Sequence, residues 1–271
     1  MDLQPVPGVP ALRMGDSLVI GDLHIGIEAH MGARGVHLAS RTDDMFDAVL
    51  SAAGSDVDRI IMLGDVKDSV PGSTKQEYRE IPVFCDRLLD AFSEVCIVRG
   101  NHDTSIEEFV PGRVRVHPAS GAVIDGVGLA HGHTWPSGEV MSQRTLVLGH
   151  EHPTVLFRDG VGARASEPCW MRGRFADSED SRYARLPEEF VVVPAFNRLL
   201  GGSPMNVEGS DFLGPVLNSG IVDVNGAHIY LLDGVDLGRR GDLMVRDRRY
   251  EGWNDREDAP PRASLRGPQE R

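Results

Sequence analysis

Arg59-Ile-Ile-Met-Leu-Gly-Asp65-Val-Lys-Asp68 carries the architecture of this chain: an unbroken apolar run of strand length ends on a glycine and then an aspartate. A short run that is apolar at every position predicts a strand buried on both faces, as in a parallel sheet covered by helices. The pattern recurs on either side. Upstream, Leu18-Val-Ile-Gly-Asp22 runs into Asp22-Leu-His24, and downstream Val95-Cys-Ile-Val-Arg-Gly100 delivers Asn101. Between the first two runs, residues 39 to 53 place Met45, Val49 and Leu50 at helical spacing behind a cap at Ser40 or Thr42. Between the second and third, a helix over about 75 to 92 carries Phe84, Leu88 and Leu89, and Pro82 marks either a kink or a shifted start. The order strand, helix, strand, helix, strand predicts a sheet with parallel pairs. It puts the polar residues at the carboxyl ends of strands, where open α/β sheets place their sites.

The second half has another rhythm. Short apolar runs at 122 to 131, 145 to 148, 154 to 157, 190 to 193, 216 to 222 and 227 to 232 are separated by Gly, Asp and Pro, which predicts a second, more antiparallel sheet packed on the first. Residues 166 to 187 read as a long loop with one strand near Trp170-Met171. Beyond Arg240 the chain turns Arg/Asp-rich and then Pro-rich, so the last ~20 residues are expected to be disordered, unable to bury apolar surface.

The 271 residues, 41% of them hydrophobic, are ordinary for a globular protein, with one main domain over residues 1–245 and a polar tail over 246–271. No run of 18 or more apolar residues exists, and Met-Asp-Leu-Gln-Pro lacks the basic start and apolar stretch of a signal peptide, so a cytoplasmic protein without membrane contact is expected. Cys85, Cys96 and Cys169 show no metal-binding or disulfide spacing and read as buried small residues. Only Lys67 and Lys75 among the 28 basic residues are lysines, and 41 acidic residues bring the net charge to −13. An acid-rich, lysine-poor surface suits concentrated salt, where self-repulsion is screened, and points to a halophilic source.

Five motifs close the apolar runs: Asp22-Leu-His24, Gly64-Asp65-x-x-Asp68, Gly100-Asn101-His102-Asp103, His131-Gly-His133 and Gly149-His150-Glu-His152. Each alone is weak; in succession they supply seven nitrogen and oxygen ligands and one spare histidine. That is the inventory for two divalent metals and a general acid. Carboxylate, imidazole and amide oxygen without thiolate favour Mn, Fe, Zn or Mg over softer metals. A carboxylate between two cations can bridge them, and Asp65, in the central motif, is the choice. Two ions ~3.5–4 Å apart would clamp the attacking and leaving oxygens of an in-line displacement, with a shared hydroxide as nucleophile.

This succession, over residues 21 to 152, resembles the calcineurin-like metallophosphoesterase superfamily. The resemblance implies an α/β fold, a four-layer α/β/β/α sandwich of two mixed β-sheets flanked by helices. It implies one metal on Asp22, His24, bridging Asp65 and His152, and a second on Asp65, Asn101, His131 and His150, with Mn2+ expected and Fe, Zn, Mg or Ni as alternatives. His102 would be the general acid for the leaving alkoxide, oriented through a hydrogen bond with Asp68. Within the superfamily, Gly21-Asp-Leu-His-Ile-Gly-Ile-Glu28, Glu167-Pro-Cys-Trp170, Pro194-Ala-Phe-Asn197 and Leu231-Leu-Asp-Gly-Val-Asp-Leu-Gly238 are most similar to the small archaeal and bacterial phosphoesterases related to the repair nuclease, those called DNA-ligase-associated. The implied substrate is a phosphoester, with a phosphodiester of nucleotides or nucleic-acid ends preferred because few basic residues lie near the motifs. A phosphomonoesterase, or a non-catalytic protein-binding scaffold on the same fold, is the alternative. Nothing after residue 240 reads as a DNA-capping domain or partner-binding module, so processive nuclease action is not expected.

Other residues read more plainly. His30, His37, His117 and His228 match no motif and are expected at the surface or in loops, whereas His133 could face the site or pack. Lys67 and Arg99 flank motifs but alternate with ligands along a strand and so point away more often than toward phosphate. Gly26, Gly32 and Gly35 form no dinucleotide fingerprint, and Trp135 reads as core or pocket wall.

Overall fold

The computed structural model describes residues 2–176 and 182–246. Two sheets form it. The first has six strands in sequence order: β1 (Leu3–Pro5), β2 (Leu12–Met14), β3 (Ser17–Ile20), β4 (Arg59–Met62), β5 (Glu94–Val98) and β6 (Arg115–His117). From β3 to β6 all pairs are parallel, as expected, while β1 and β2 add an antiparallel edge that no periodicity announced. Helices α1 (Ile27–Ala33), α2 (Thr42–Ala53) and α3 (Lys75–Ala91) fall between β3, β4 and β5.

Alternate residues of each strand serve different layers. Leu18, Ile20, Ile60, Met62, Val95 and Ile97 pack with Val49 of α2 and with Phe84 and Leu88 of α3. Val19, Ile61, Cys96 and Val98 face the other way, onto Leu129, Val147, Trp170 and Val191 of the second sheet. Burial on both faces is why the runs are continuously apolar.

The second sheet holds nine strands: β7 (Ala122–Ile124), β8 (Val127–Ala130), β9 (Thr145–Leu148), β10 (Pro153–Arg158), β11 (Arg164–Arg174), β12 (Glu189–Val192), β13 (Ser203–Pro204), β14 (His228–Leu231) and β15 (Asp236–Arg239). It is mixed, since β8, β9 and β12 pair in parallel while β10, β11, β12 and β14 pair antiparallel. Its outer face packs Leu146, Phe190, Val192 and Met171 against Val140 and Met141 of α4 (Gly138–Met141) and Val216 and Leu217 of α5 (Pro215–Asn218). The layers are helix, sheet, sheet, helix: the four-layer sandwich.

Three local expectations need correction. The loop expected over 166 to 187 contains the longest strand, because β11 is paired on both sides, so ladder partners order a stretch with little apolar content. The run 216 to 222 opens with α5 instead of a strand, with Pro215 in the first helical turn. Helix α2 starts behind Arg41 without a side-chain cap, since the Ser40 and Thr42 hydroxyls donate to the Glu80 carboxylate at 2.7 and 2.8 Å. Helix α3 keeps its expected range, beginning at a Thr74/Glu77 capping box and running through Pro82. An interior proline costs about 3 kcal/mol, less than the combined burial of Ile81, Phe84, Leu88 and Leu89 at roughly 1.5–3 kcal/mol each. The three cysteines are free and buried, as expected. The polar tail lies outside the described residues apart from Arg246.

Candidate metal centre

The carboxyl ends of β3, β4 and β5 in one sheet and of β8 and β9 in the other lead straight into the five motifs. Chain direction therefore brings them to one rim. The backbone there is unusual: Asp22, His24, Asp65, His150 and His152 have φ of 56°, 43°, 50°, 70° and 44°. The left-handed region costs a side-chain-bearing residue roughly 1–2 kcal/mol, so five such residues persist only where the surroundings hold them. The turns are stitched together: Asp22 N donates to Gly64 O at 3.1 Å and His24 N to Asp65 O at 2.8 Å. Two motif glycines permit the approach, since a Cβ on Gly64 would collide with the His131 ring and one on Gly100 with Asp65.

Ligand atoms form two groups. Those of Asp22, His24 and His152 lie within 4.8 Å of one another, as do those of Asp65, His131 and His150. Asp65 Oδ2 stands between the groups, 3.5 Å from His24 Nε2 and 3.2 Å from His131 Nε2. Asn101, exposed at the rim, places Oδ1 3.2 Å from His131 Nε2. Nε2 of His24 and of His152 are buried without a hydrogen-bond partner, although His152 Nε2 is 3.1 Å from Asp22 Oδ1. A buried orphan nitrogen is costly unless something accepts its lone pair. This all-oxygen and nitrogen donor set fits borderline or hard divalent cations. The opposite ring nitrogens are held: His131 Nδ1 donates to the Leu63 carbonyl at 2.8 Å, and His24 Nδ1 meets Asp68 Oδ1 at 3.1 Å. Such backing leaves Nε2 free to bind a cation.

Charge in the cluster is divided. Burial opposes ionisation of Asp65, but the His131 hydrogen bond and the nearby His131 and His24 hold its carboxyl well below the usual range. Burial likewise opposes a charged His131, and the Asp65 and Asp22 carboxylates outweigh it, raising His131 to about 9. Burial and the neighbouring His131 push His150 down to about 4, leaving its lone pair available at neutral pH. The carboxylates thus call for positive charge at the centre of the cluster.

His102 lies beside the first group, its ring 4.7 Å from that of His24 and its Nε2 4.0 Å from Asp65 Oδ2. Its Nδ1 meets the main-chain oxygen of Asp68 at 2.5 Å. The hydrogen bond expected between Asp68 and His102 is thus made by the main chain: the carboxylate does not reach His102 but takes His24 Nδ1 and, at 3.3 Å, His30 Nδ1. The reason is that the backbone carbonyl faces His102 while the side chain turns back toward α1, which also brings His30 into the site's support. His133 is half-buried beside the second group, its ring 5.3 Å from His131 and 6.0 Å from His150. His117 and His228 lie elsewhere, on β6 and β14, and Trp135 packs beside Tyr183.

Neither basic candidate reaches the site. Lys67 is 1% exposed and its ammonium donates to the carbonyls of Ser69 and Gly72. Arg99 donates to the Asp103 carbonyl at 2.9 Å and pairs with Glu107. Several supporting residues had no assigned part. Buried Asp103 accepts Val66 N and Gly100 N, both at 2.8 Å, bracing two motif loops. Glu77 accepts Asp68 N and Ser69 N at 3.0 and 2.7 Å, and Glu151 accepts Leu213 N and Gly214 N at 2.9 and 2.8 Å. For Asp103 and Glu151 the available signal was an acidic residue inside a motif that was not among the ligands, whereas Glu77 is legible only as the partner of Thr74 in a capping box.

A family model described as calcineurin-like phosphoesterase matches residues 17–171, more than half of the chain. No curated protein matches the sequence. Among solved structures, the nuclease MPE of Pseudomonas putida is similar in fold, with 19% identity and a TM-score of 0.53 over 85% of this chain and 96% of that one. A metallophosphoesterase from Sphaerobacter thermophilus is 15% identical, with a TM-score of 0.27 over 84% of this chain and 90% of that one. No described helix is long and apolar enough to cross a membrane.

Proposed function

Because the chain belongs to the calcineurin-like phosphoesterase family and is a metal-dependent hydrolase, we propose that it is a phosphodiesterase acting on nucleotides or nucleic-acid ends. Asp22, His24, Asp65 and His152 hold one divalent ion in this reading, and Asp65, Asn101, His131 and His150 hold the second. The observation that carries it is the position of Asp65 Oδ2 between His24 Nε2 and His131 Nε2. Bound there, a pair of divalent ions, Mn2+ in our reading, supplies charge neutralisation at the phosphoryl group and acidifies bound water.

The chain's own residues do the rest. The Asp68 carbonyl accepts from His102 Nδ1–H, so when the ring is an imidazolium the proton handed to the leaving alkoxide is the one on Nε2, beside Asp65, and the ring is left as the neutral Nδ1–H tautomer. Asp68 and the Leu63 carbonyl orient His24 and His131. Lys67 and Arg99 are spent on backbone carbonyls and Glu107, so neither adds the cationic charge that a terminal dianionic monoester calls for; this favours the singly charged diester. The similarity of residues 21–28, 167–170, 194–197 and 231–238 to the DNA-ligase-associated phosphoesterases supports a DNA-repair setting.

Protein reconstituted with Mn2+ and assayed in high salt, as the acid-rich surface suggests, should bind two ions per chain. Its kcat/KM for bis-p-nitrophenyl phosphate should exceed that for p-nitrophenyl phosphate. Saturation at one ion removes the two-metal reading, and the reverse substrate order makes the protein a monoesterase.

A further inference from the structure

The segment from Phe196 to Leu199 runs beside the Asp22-Leu-His24 turn. Phe196 N donates to Gly21 O at 2.9 Å, Asn197 N to Asp22 O at 3.3 Å, and the Asn197 side-chain amide to Leu23 O at 2.8 Å. The other side of this segment and helix α2 enclose a cleft of about 360 Å³, floored by Val9, Met45, Ala48 and Phe196. That volume lies within the roughly 300–1,000 Å³ of small-ligand sites. Arg41 and Arg198 stand on it. Asp44 takes the Arg41 guanidinium at 2.5 Å, whereas exposed Arg198 has no ion-pair or hydrogen-bond partner among the described residues. Asn197 and Arg198 also wall a second cleft, of about 30 Å³, together with the candidate ligand His152.

We propose that this cleft is the subsite for the nucleoside adjoining the scissile phosphodiester, and that Arg198 binds the next phosphate of the strand. The proposal rests on the phosphodiesterase reading. Three observations converge on it. The floor is apolar, as a base or sugar face needs. Its wall is hydrogen-bonded to the Asp22 turn, so its position relative to the site is set by the fold. Lys67, Arg99 and Arg41 all have partners, and in a chain of net charge −13 a guanidinium without a partner among the described residues, one residue from Asn197, leaves a fork for an oligonucleotide phosphate. The substrate class is therefore an oligonucleotide that continues beyond the cleaved bond, in preference to a dinucleotide or an aryl diester.

The test compares a trinucleotide with bis-p-nitrophenyl phosphate, which has no second phosphate, on the full chain. Arg198→Ala should lower the ratio of kcat/KM for the trinucleotide over that for bis-p-nitrophenyl phosphate about tenfold, the scale of one charge-assisted contact, mainly through KM. It should reduce the logarithmic salt dependence of trinucleotide binding by about 0.7, the value for one phosphate of a single strand. Arg198→Lys should restore most of that salt slope. Ala48→Trp, which fills the floor, should lower the same ratio without altering the slope. An unchanged ratio and slope in Arg198→Ala overturn the subsite while leaving the phosphodiesterase reading in place. Fluorescence anisotropy of a labelled trinucleotide in EDTA separates the two further: binding that depends on Arg198 supports the subsite even where no diester is hydrolysed, and binding indifferent to Arg198 refutes it.

Discussion

The two ligand groups are backed by different chemistry. His24 of the first leans on an ionisable side chain, Asp68, which also takes His30 from α1. His131 of the second leans on a neutral main-chain carbonyl, that of Leu63, inside the sandwich. A carboxylate behind an imidazole raises its basicity, whereas a carbonyl fixes only its tautomer and orientation. The first group can therefore be tuned by a single side chain, while the second depends on Asp65 and on the packing of two sheets.

The largest effect should come from the residue the groups share. Asp65→Asn removes the candidate bridge, so both ions should weaken together and activity should fall beyond the about 100-fold upper end for loss of an outer contact. Loss of one ion only, read by elemental analysis, would mean the groups are independent. Next is His102→Gln, expected to keep both ions and to lower kcat about 10²–10⁴-fold. The loss should be greater for an alkyl leaving group than for p-nitrophenolate, which hardly needs a proton; equal losses would reduce His102 to a positioning residue.

Asp68→Asn sharpens the contrast itself. Its carboxylate contacts His24 and His30 but not His131, so affinity at the first group should fall about 10–100-fold with the second retained, visible as two separated steps in a metal titration. A parallel loss at both groups would show that the difference in backing has no energetic consequence. The smallest effect belongs to Arg99→Ala. With its guanidinium on Asp103 O and Glu107, away from the candidate ligands, the change in kcat/KM should stay within about 0.5 kcal/mol, roughly twofold. A tenfold loss would return Arg99 to the phosphate site.

The sheets differ in legibility for a physical reason. In the first, β3, β4 and β5 are buried on both faces and the crossover helices α2 and α3 carry their own apolar stripes, so Ile60, Ile61 and Met62 or Phe84 and Leu88 announce their element within a few residues. The second relies on ladder partners far away in sequence. Arg164 to Arg174 is a strand because β10, β12 and β14 flank it, and nothing local distinguishes its Ala-Ser-Glu-Pro start from a loop.

The same division runs through the candidate site. Motif order and residue chemistry follow from the sequence by itself: apolar runs bury strands, and parallel strands bring their carboxyl ends, with Asp22, Asp65 and Asn101, to one rim. Tertiary structure alone decided which atoms meet. It turned the Asp68 carbonyl rather than its carboxylate onto His102, drew His30 to Asp68, and engaged Lys67 and Arg99 elsewhere. It also set five candidate ligands in left-handed backbone and brought His150 N to the Asp22 carboxylate across 128 positions of chain. Side-chain periodicity is a local property that the order of neighbouring residues encodes. Backbone strain and the choice between a carbonyl and a carboxylate partner are resolved only when distant segments compete for the same few ångströms.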